Sequence, residues 1–437
     1  MKNMKPSISI GSFNMNGKDL DKIDALKWLQ HSNGSSDLVI ISLQECPTAP
    51  NVPCSEPLSD SDHDKGNKIP VPCIKVFSSS SESSPDDRIQ ETIKSSLSPQ
   101  HILLADIAMG EIPTLSPEGK AKSSTFYGYI RLIIFAKDQT VLDLNSSSCV
   151  TNPTPLLIPI FAPAGRKSAA PSGDTYPNHR SPDKGGVCIC IPSLEILICS
   201  VHLCGTNEYN TPEKIFDEIR FNELDIIAEE CQRVLFKKNH SPARTISVDD
   251  GSEFAESLTS KYQPIICGDL NFRVEMFSNP ADKSRGGRDF KAVHDILEEG
   301  NLESVRQLFC SHDHLLQLLL YLDGAEKDGM DKRDEVGMVN NKSFEGLTEK
   351  VKDLLRNVRD VFMENHGIQG NVKITFPTFT FDVRSRIYSD KRTPSWTDRI
   401  LVSKKLFQEG YIIEDCGANF SITSSDHVPV FAVLRVV

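Results

Sequence analysis

Six polar clusters in this sequence stand at the borders of short apolar runs. Ser7-Ile8-Ser9-Ile10 leads into Asn14-Met15-Asn16-Gly17, and Leu38-Val39-Ile40-Ile41 leads into Gln44-Glu45. Ile196-Leu197-Ile198-Cys199 leads into His202, and Pro264-Ile265-Ile266-Cys267 leads into Gly268-Asp269-Leu270-Asn271. Two more precede apolar runs: Trp396-Thr397-Asp398-Arg399 before Ile400, and Ser425-Asp426-His427 before Val428. Singly, each has an ordinary explanation: an Asx-turn, a half-buried ring, a carboxylate paired with an Arg. Jointly they make a coherent inventory. Glu45 with Asn16 and Asp426 offers hard oxygen ligands that suit Mg²⁺ and leave room for water and phosphate. Asp269, with Asn271 two residues on, suits proton abstraction from an attacking water. His427 beside the carboxylate of Asp398 makes a cation held by its partner and aimed at a phosphoryl oxygen. The chemistry this set supports is metal-assisted phosphoester hydrolysis.

Such a set works only if several elements converge. Strands are expected at Ser7–Asn14, Leu38–Leu43, Tyr129–Ala136, Leu156–Phe161, Val187–Ile191, Leu194–Val201, Pro264–Cys267, Ile400–Val402, Tyr411–Asp415 and Val428–Val436. Helices are expected at Asp19–Gln30, Pro212–Phe236, Phe290–Glu298, His314–Leu322 and Phe344–Glu364. Strands this apolar need cover on both faces, which predicts an α/β fold with two sheets. Three stretches, 48–98, 163–186 and 325–341, are rich in Pro, Ser, Gly or charge and read as surface insertions. The expected organisation is a single catalytic domain over 1–437 interrupted by those loops.

Composition narrows the functions. Lys and Arg number 48 against 60 Asp and Glu, a net charge of −12. No global positive field exists to hold a polyanion, so an anionic substrate has to be gripped locally and nucleic acid is not the expected partner. Apolar runs are too short for a membrane span, the N-terminal residues lack a secretory h-region, and the C-terminal residues lack a prenylation Cys. The 12 Cys are sparse and several lie inside apolar runs, as core thiols in a reducing, cytoplasmic setting do.

Competing chemistries fit less well. Cys267 to Arg273 has the C-x5-R spacing of cysteine-dependent phosphatases, but Asp269 inside that loop repels a phosphate dianion and raises the thiol pKa. Cys188, Cys190, Cys199, His202 and Cys204 lack the C-x2-C knuckle of a zinc site. Neither a G-x-S-x-G elbow nor a G-x4-G-K-[ST] loop is present.

At the level of whole blocks, Pro264-Ile265-Ile266-Cys267-Gly268-Asp269-Leu270-Asn271-Phe272-Arg273 and Pro394-Ser395-Trp396-Thr397-Asp398-Arg399-Ile400-Leu401 resemble the two signatures of inositol polyphosphate 5-phosphatases. Phe13 to Gly17, Leu43 to Glu45, Ser200 to Leu203 and Ser425 to Val430 resemble the remaining blocks, in family order. The blocks around Asp269 and His427 are shared with the wider endonuclease/exonuclease/phosphatase superfamily; the Arg273 ending and the Trp396 block are the specific ones. The resemblance implies a four-layered α/β sandwich, two central mixed β-sheets flanked by helices, and Mg²⁺-dependent removal of a 5-phosphate from an inositol phosphate or phosphoinositide headgroup. It implies Glu45 as principal Mg²⁺ ligand with Asn16 and Asp426, Asp269 as base, Asn271 as orienting group, His427 on the transition state with Asp398 behind it, and His202 on the scissile phosphate. Asn14, Arg273, Lys391, Arg392 and Arg399 are implied as substrate contacts. The implied state is a monomer with peripheral membrane contact. One block departs from the family: Tyr and Lys of its P-T-Y-K-Y-D are Phe379 and Thr380 here, which leaves Lys391 and Arg392 to face a 4-phosphate.

Overall fold

The computed structural model describes residues 5–30, 36–48, 71–76, 88–110, 128–137, 158–163, 184–205, 213–237, 257–276, 290–327, 347–364, 375–383, 385, 387–389 and 392–437. Among these, strands β1 (Ile8–Asn14), β2 (Leu38–Cys46), β3 (Val71–Val76), β4 (His101–Gly110), β5 (Tyr129–Lys137), β6 (Ile158–Pro163) and β7 (Gly185–Ile191) are followed by β8 (Ile196–His202) and β9 (Gln263–Asp269). The chain ends through β10 (Val358–Asp360), β11 (Asp398–Ser403), β12 (Tyr411–Ala418) and β13 (Val430–Val436). They form a seven-stranded sheet of order β12-β13-β1-β2-β5-β4-β3 and a six-stranded sheet of order β10-β11-β9-β8-β7-β6. Both are mixed: β1 runs parallel to β2 and β8 parallel to β9, and the other pairs are antiparallel.

Period-two alternation of apolar side chains sets the layers. Ile8, Ile10, Leu38, Ile40, Ile198 and Ile265 belong to the cluster between the sheets. The intervening Val39, Ile41 and Leu43 turn outward onto the helix Lys22–Leu29, through Trp28 and Leu29. On the other side, Leu197, Cys199 and Ile266 pack with Leu224, Ile227 and Cys231 of the helix Glu213–Lys237, and with Val351 and Leu354 of the helix Glu349–Arg356. Both faces of both sheets are therefore covered, giving the expected helix–sheet–sheet–helix sandwich.

Three segments differ from the sequence reading. Within 48–98, residues 71–76 form β3, the edge of the first sheet, and Arg88–Ser95 is a helix that buries Ile89 and Ile93. Their i, i+4 spacing, extended by the buried Leu97, was a legible helical signal among Ser and Thr. β4 has no clean alternation because Asp106 interrupts it; that carboxylate is tolerated inside the sheet because Arg131 of β5 donates Nε to its Oδ1 at 2.8 Å. Over Phe344–Glu364, the helix stops at Arg356, β10 follows, and Val361–Glu364 is a short helix, so one long helix is replaced by three elements. Residues 164–183 and 328–341 of the other two loops lie outside the described residues.

Candidate active site

The register of the sheets brings the polar clusters together. In the second sheet, His202 of β8 lies beside Asp269 of β9, and Asp269 lies opposite Asp398 of β11, so three of the six clusters form one row across adjacent strands. In the first sheet Asn14 of β1 pairs with Gln44 of β2. Beyond them Met15 N donates to Gln44 O at 2.8 Å and Gly17 N to Glu45 O at 2.9 Å. The sheets meet across a polar seam: Ser42 and Ser200 hydroxyls are 2.7 Å apart, and Gln44 Nε2 donates to Ser42 Oγ at 2.7 Å. This seam holds the Asn14 and Glu45 strand ends against the row of His202, Asp269 and Asp398.

Backbone strain concentrates here. Asn16, Glu45 and Asn271 have φ of 49°, 48° and 58°, in the left-handed region. Asn tolerates it, whereas for Glu45 it costs about 1–2 kcal/mol that the surroundings must offset. Two glycines permit the close approach. A Cβ on Gly128 would lie 2.4 Å from the Glu45 carbonyl carbon, and one on Gly268 would lie 1.9 Å from Val201 O.

Asp269 is the hub. Asn14 Nδ2 donates to its Oδ2 at 3.0 Å and Asn271 N to its Oδ1 at 3.1 Å. His202 Nε2 is 3.5 Å and His427 Nε2 3.9 Å from Oδ2. Glu45 Oε1 is 3.8 Å from His202 Nε2 and 3.5 Å from Asn14 Nδ2, and its side chain remains 18% exposed, so it faces both the hub and solvent. Asn16 Nδ2 donates to Asp426 Oδ1 at 2.9 Å, which joins two of the three predicted ligands and leaves the other Asn16 side-chain atom, its amide oxygen, as an acceptor. Carboxylate and amide oxygens of the kind Glu45, Asp426 and Asn16 carry suit a hard divalent cation, and no thiol is among these three residues.

His427 completes the opposite wall. Its Nδ1 lies 2.9 Å from Asp398 Oδ2, which also accepts from Thr378 Oγ1 at 2.8 Å and Thr397 Oγ1 at 3.1 Å. Burial works against a charge on His427, but Asp398 and Asp269 outweigh it and push its pKa up to about 9. Burial would raise Asp269, yet the facing imidazoles of His427 and His202 hold its carboxyl well below the usual range. Asp398 is raised by burial, with His427 opposing. The result is a His427 imidazolium between two carboxylates, with Nδ1 on Asp398 and Nε2 on the Asp269 side.

Other predicted residues divide. Asn271 donates Nδ2 to Leu203 O at 2.9 Å and accepts from Arg273 Nη2 at 2.6 Å. The Arg273 guanidinium lies 4.4 Å from the Phe379 ring centroid and Arg392 lies 5.5 Å from it, while Phe379 itself packs on His427 at 4.4 Å. Phe379 therefore gathers two cations beside the row. Lys391 lies outside the described residues. Arg399 is not a substrate contact. It alternates with Asp398 to the other face of β11, where its Nη2 is 2.6 Å from Asp313 and its Nε 3.1 Å from Asp360, all fully buried. Burial pushes Asp313 up to about 6 and raises Asp360, with Arg399 opposing both. Arg399→Ala is expected to lower stability by about 3 kcal/mol in urea unfolding, since it strands two carboxyls, with kcat/KM per folded molecule within a few-fold of wild type.

Sequence reasoning passed over Lys184. It immediately precedes β7, at the end of the Pro/Gly-rich stretch, and its Nζ meets His202 Nε2, adding a cation to the rim. A single Lys before Gly185-Gly186 carries little signal by itself. Cys267 is a fully buried core thiol pushed up to about 12 by burial, in keeping with the rejection of a thiolate mechanism.

No curated protein sequence matches this chain. Among solved structures, it is similar to the inositol polyphosphate 5-phosphatase domain of spsynaptojanin in complex with inositol (1,4)-bisphosphate and calcium ion, at TM-score 0.48 and 15% identity, covering 99% of this chain and 84% of that one. It is also similar to Cimex nitrophorin in its ferrous NO complex, at TM-score 0.45 and 13% identity over 99% and 98% of the two chains. AP endonuclease from Leishmania major follows at TM-score 0.40 and 11% identity over 98% and 88%. Residues 329–433, the stretch that holds Thr378, Asp398, Asp426 and His427, match the sequence profile of Endonuclease/Exonuclease/phosphatase family 2.

Proposed function

We propose that this chain is a Mg²⁺-dependent phosphomonoesterase that removes the 5-phosphate from inositol polyphosphates or phosphoinositides such as Ins(1,4,5)P3 and PtdIns(4,5)P2, with 1–437 acting as one catalytic domain. The observation that carries this reading is the convergence on Asp269 of Asn14, His202 and the His427–Asp398 pair, with Glu45 against Asn14 and His202, from segments of both sheets. The Trp396 and Arg273 blocks supply the inositol phosphate part of it.

Glu45, Asn16 and Asp426 would hold the Mg²⁺, whose charge would offset that of the phosphate. Asp269, kept ionised, accepts a proton from the water that attacks phosphorus, and Asn271 with Asn14 fixes the carboxylate that receives it. His427, kept cationic by Asp398, donates from Nε2 to a phosphoryl oxygen as charge builds there. Arg273 and Lys184 add fixed positive charge at the rim, which the net −12 of the chain makes necessary. The bond from phosphorus to the inositol 5-oxygen then breaks, that oxygen takes a proton from solvent and leaves as a hydroxyl, Asp269 returns its proton to solvent, and inorganic phosphate remains. Arg392, over the Phe379 ring, is the cation this reading assigns to a neighbouring phosphate. No helix among the described residues is long and apolar enough to cross a membrane. A cytoplasmic monomer that meets headgroups peripherally is the setting this reading takes.

The test is phosphate release from Ins(1,4,5)P3, PtdIns(4,5)P2 vesicles and Ins(1,4)P2, beside plasmid nicking, each with Mg²⁺ and with EDTA. Release from the first two and not from Ins(1,4)P2, abolished by EDTA, is expected. Nicking without phosphate release would replace this reading with a nuclease. Glu45→Gln is expected to raise the Mg²⁺ concentration for half-maximal rate at least about 10-fold, because it removes the charged ligand of the set.

A further inference from the structure

The loop after β9 is braced from behind the site. Asn271 and Arg273 lie beside the row, while Phe272 packs into the helix layer and Val274 into the cluster between the sheets. Phe272 packs on Phe221 at 5.9 Å and under the Arg220 guanidinium at 5.4 Å. Val274 N donates to Ser395 Oγ at 3.1 Å. Glu275 N donates to His312 O at 3.0 Å, and His314 N donates to Arg273 O at 3.2 Å, so 273–275 runs antiparallel to 312–314.

At the centre of this brace is His314, 2% exposed and at the start of the helix His314–Lys327. Its Nδ1 is 2.7 Å from Asp217 Oδ2 and its Nε2 2.9 Å from Glu275 Oε2. Asp217 in turn takes Arg220 Nη1 on its other oxygen at 2.8 Å. Arg220 Nε donates to Cys204 O at 2.9 Å, two residues beyond His202, and Cys204 N donates to Glu223 Oε2 at 2.7 Å. The face of the helix Glu213–Lys237 formed by Asp217, Arg220 and Glu223 thus grips the loop after β8, and through His314 it grips the loop after β9.

We propose that His314, clamped between Asp217 and Glu275, is a positioning residue for Arg273, fixing the backbone from which that guanidinium reaches Asn271 and the Phe379 ring. A histidine is suited to this because its two ring nitrogens diverge, so one planar group bridges carboxylates on two elements. Burial alone would suppress its charge, but Asp217 and Glu275 raise its pKa well above the ordinary value, so the bridge is an ionic one. Asp313 beside it also feels this charge. Remove the ring and Asp217 keeps Arg220, but Glu275 loses a buried cationic partner and the turn that carries Arg273 loses its anchor. The proposal rests on the phosphate-facing role given to Arg273 above.

The experiment is a double-mutant cycle between His314→Leu and Arg273→Ala, with an arginine-selective ¹⁵N spectrum of the full chain as a readout independent of activity. His314→Leu is expected to lower kcat/KM roughly 10- to 100-fold, the scale of lost outer-shell support. In the Arg273→Ala background it should add almost nothing, because its effect runs through Arg273. The Nε–H resonance of Arg273, identified by its loss in Arg273→Lys, should shift or broaden in His314→Leu. Additive losses in the cycle, or an unmoved Arg273 resonance, would overturn the proposal. Should His314→Leu not fold, Glu275→Gln runs the same cycle with the same expected non-additivity. If the wild type releases phosphate from no inositol substrate, the functional reading fails, while the arginine resonance still decides this one.

Discussion

Asp269→Asn is expected to lower kcat by roughly 10³-fold with a much smaller change in KM, within the range for loss of a general base. Both carboxylate oxygens accept hydrogen bonds, one from Asn271 N and one from Asn14 Nδ2. An amide presents a single acceptor, so in either orientation its NH₂ faces another donor, and no neutral group of this shape satisfies both. The substitution also removes the negative charge between His202 and His427, so neither imidazole is drawn toward the hub. The measurement is single-turnover and steady-state phosphate release at matched folded fraction, with circular dichroism confirming the fold. A variant within a few-fold of wild-type kcat would mean that Asp269 takes no proton in the reaction.

A second large loss of phosphate release is expected at His427, with an alkaline limit. His427→Ala should lower kcat about 10²- to 10³-fold, since it removes a fixed donor from the phosphoryl oxygen. The sign of the pH dependence follows from the direction of the shift. The folded pKa is raised to about 9 from an ordinary 6.5. The cation is therefore present from neutrality up to about pH 9, and kcat should fall about tenfold per unit above it. The stability that the His427–Asp398 pair contributes follows the same order, full below about 6.5 and lost as pH rises through about 9. Asp398→Asn removes the partner that raises this pKa most, leaving burial to push it down. Its alkaline limb should move to lower pH by more than one unit, with kcat at pH 7 reduced as well. An unmoved limb in Asp398→Asn would assign that limb to another group.

The local readings and the tertiary outcome diverge at particular residues. Asn14, Glu45, His202 and Asp269 were legible because each ends a run of apolar residues, and a strand in a layered fold exposes its last residue at a rim. Arg399 was misplaced although the signal was present. Ile400 and Val402 face the space between the sheets, Leu401 faces the helix layer, and period-two alternation puts Arg399 with Leu401. Ile89 and Ile93 likewise show helical spacing, but the Ser- and Pro-rich surroundings conceal it. Lys184 and His314 offered no local cue, since a lone Lys or His acquires meaning only from what faces it.

By itself, the sequence determined the residue types of the site, their place at strand ends, the α/β class and the rejection of thiolate and P-loop chemistry, because these depend on neighbours along the chain. Only the tertiary structure decided that His202, Asp269 and Asp398 share one row, that Lys184 joins His202, that Arg399 belongs to Asp313 and Asp360, and that His314 bridges Asp217 and Glu275. Those relations depend on strand register and on helices packed from distant parts of the chain. Charge pairs across such distances are selected by burial and geometry, which leave no periodic trace in the order of the residues.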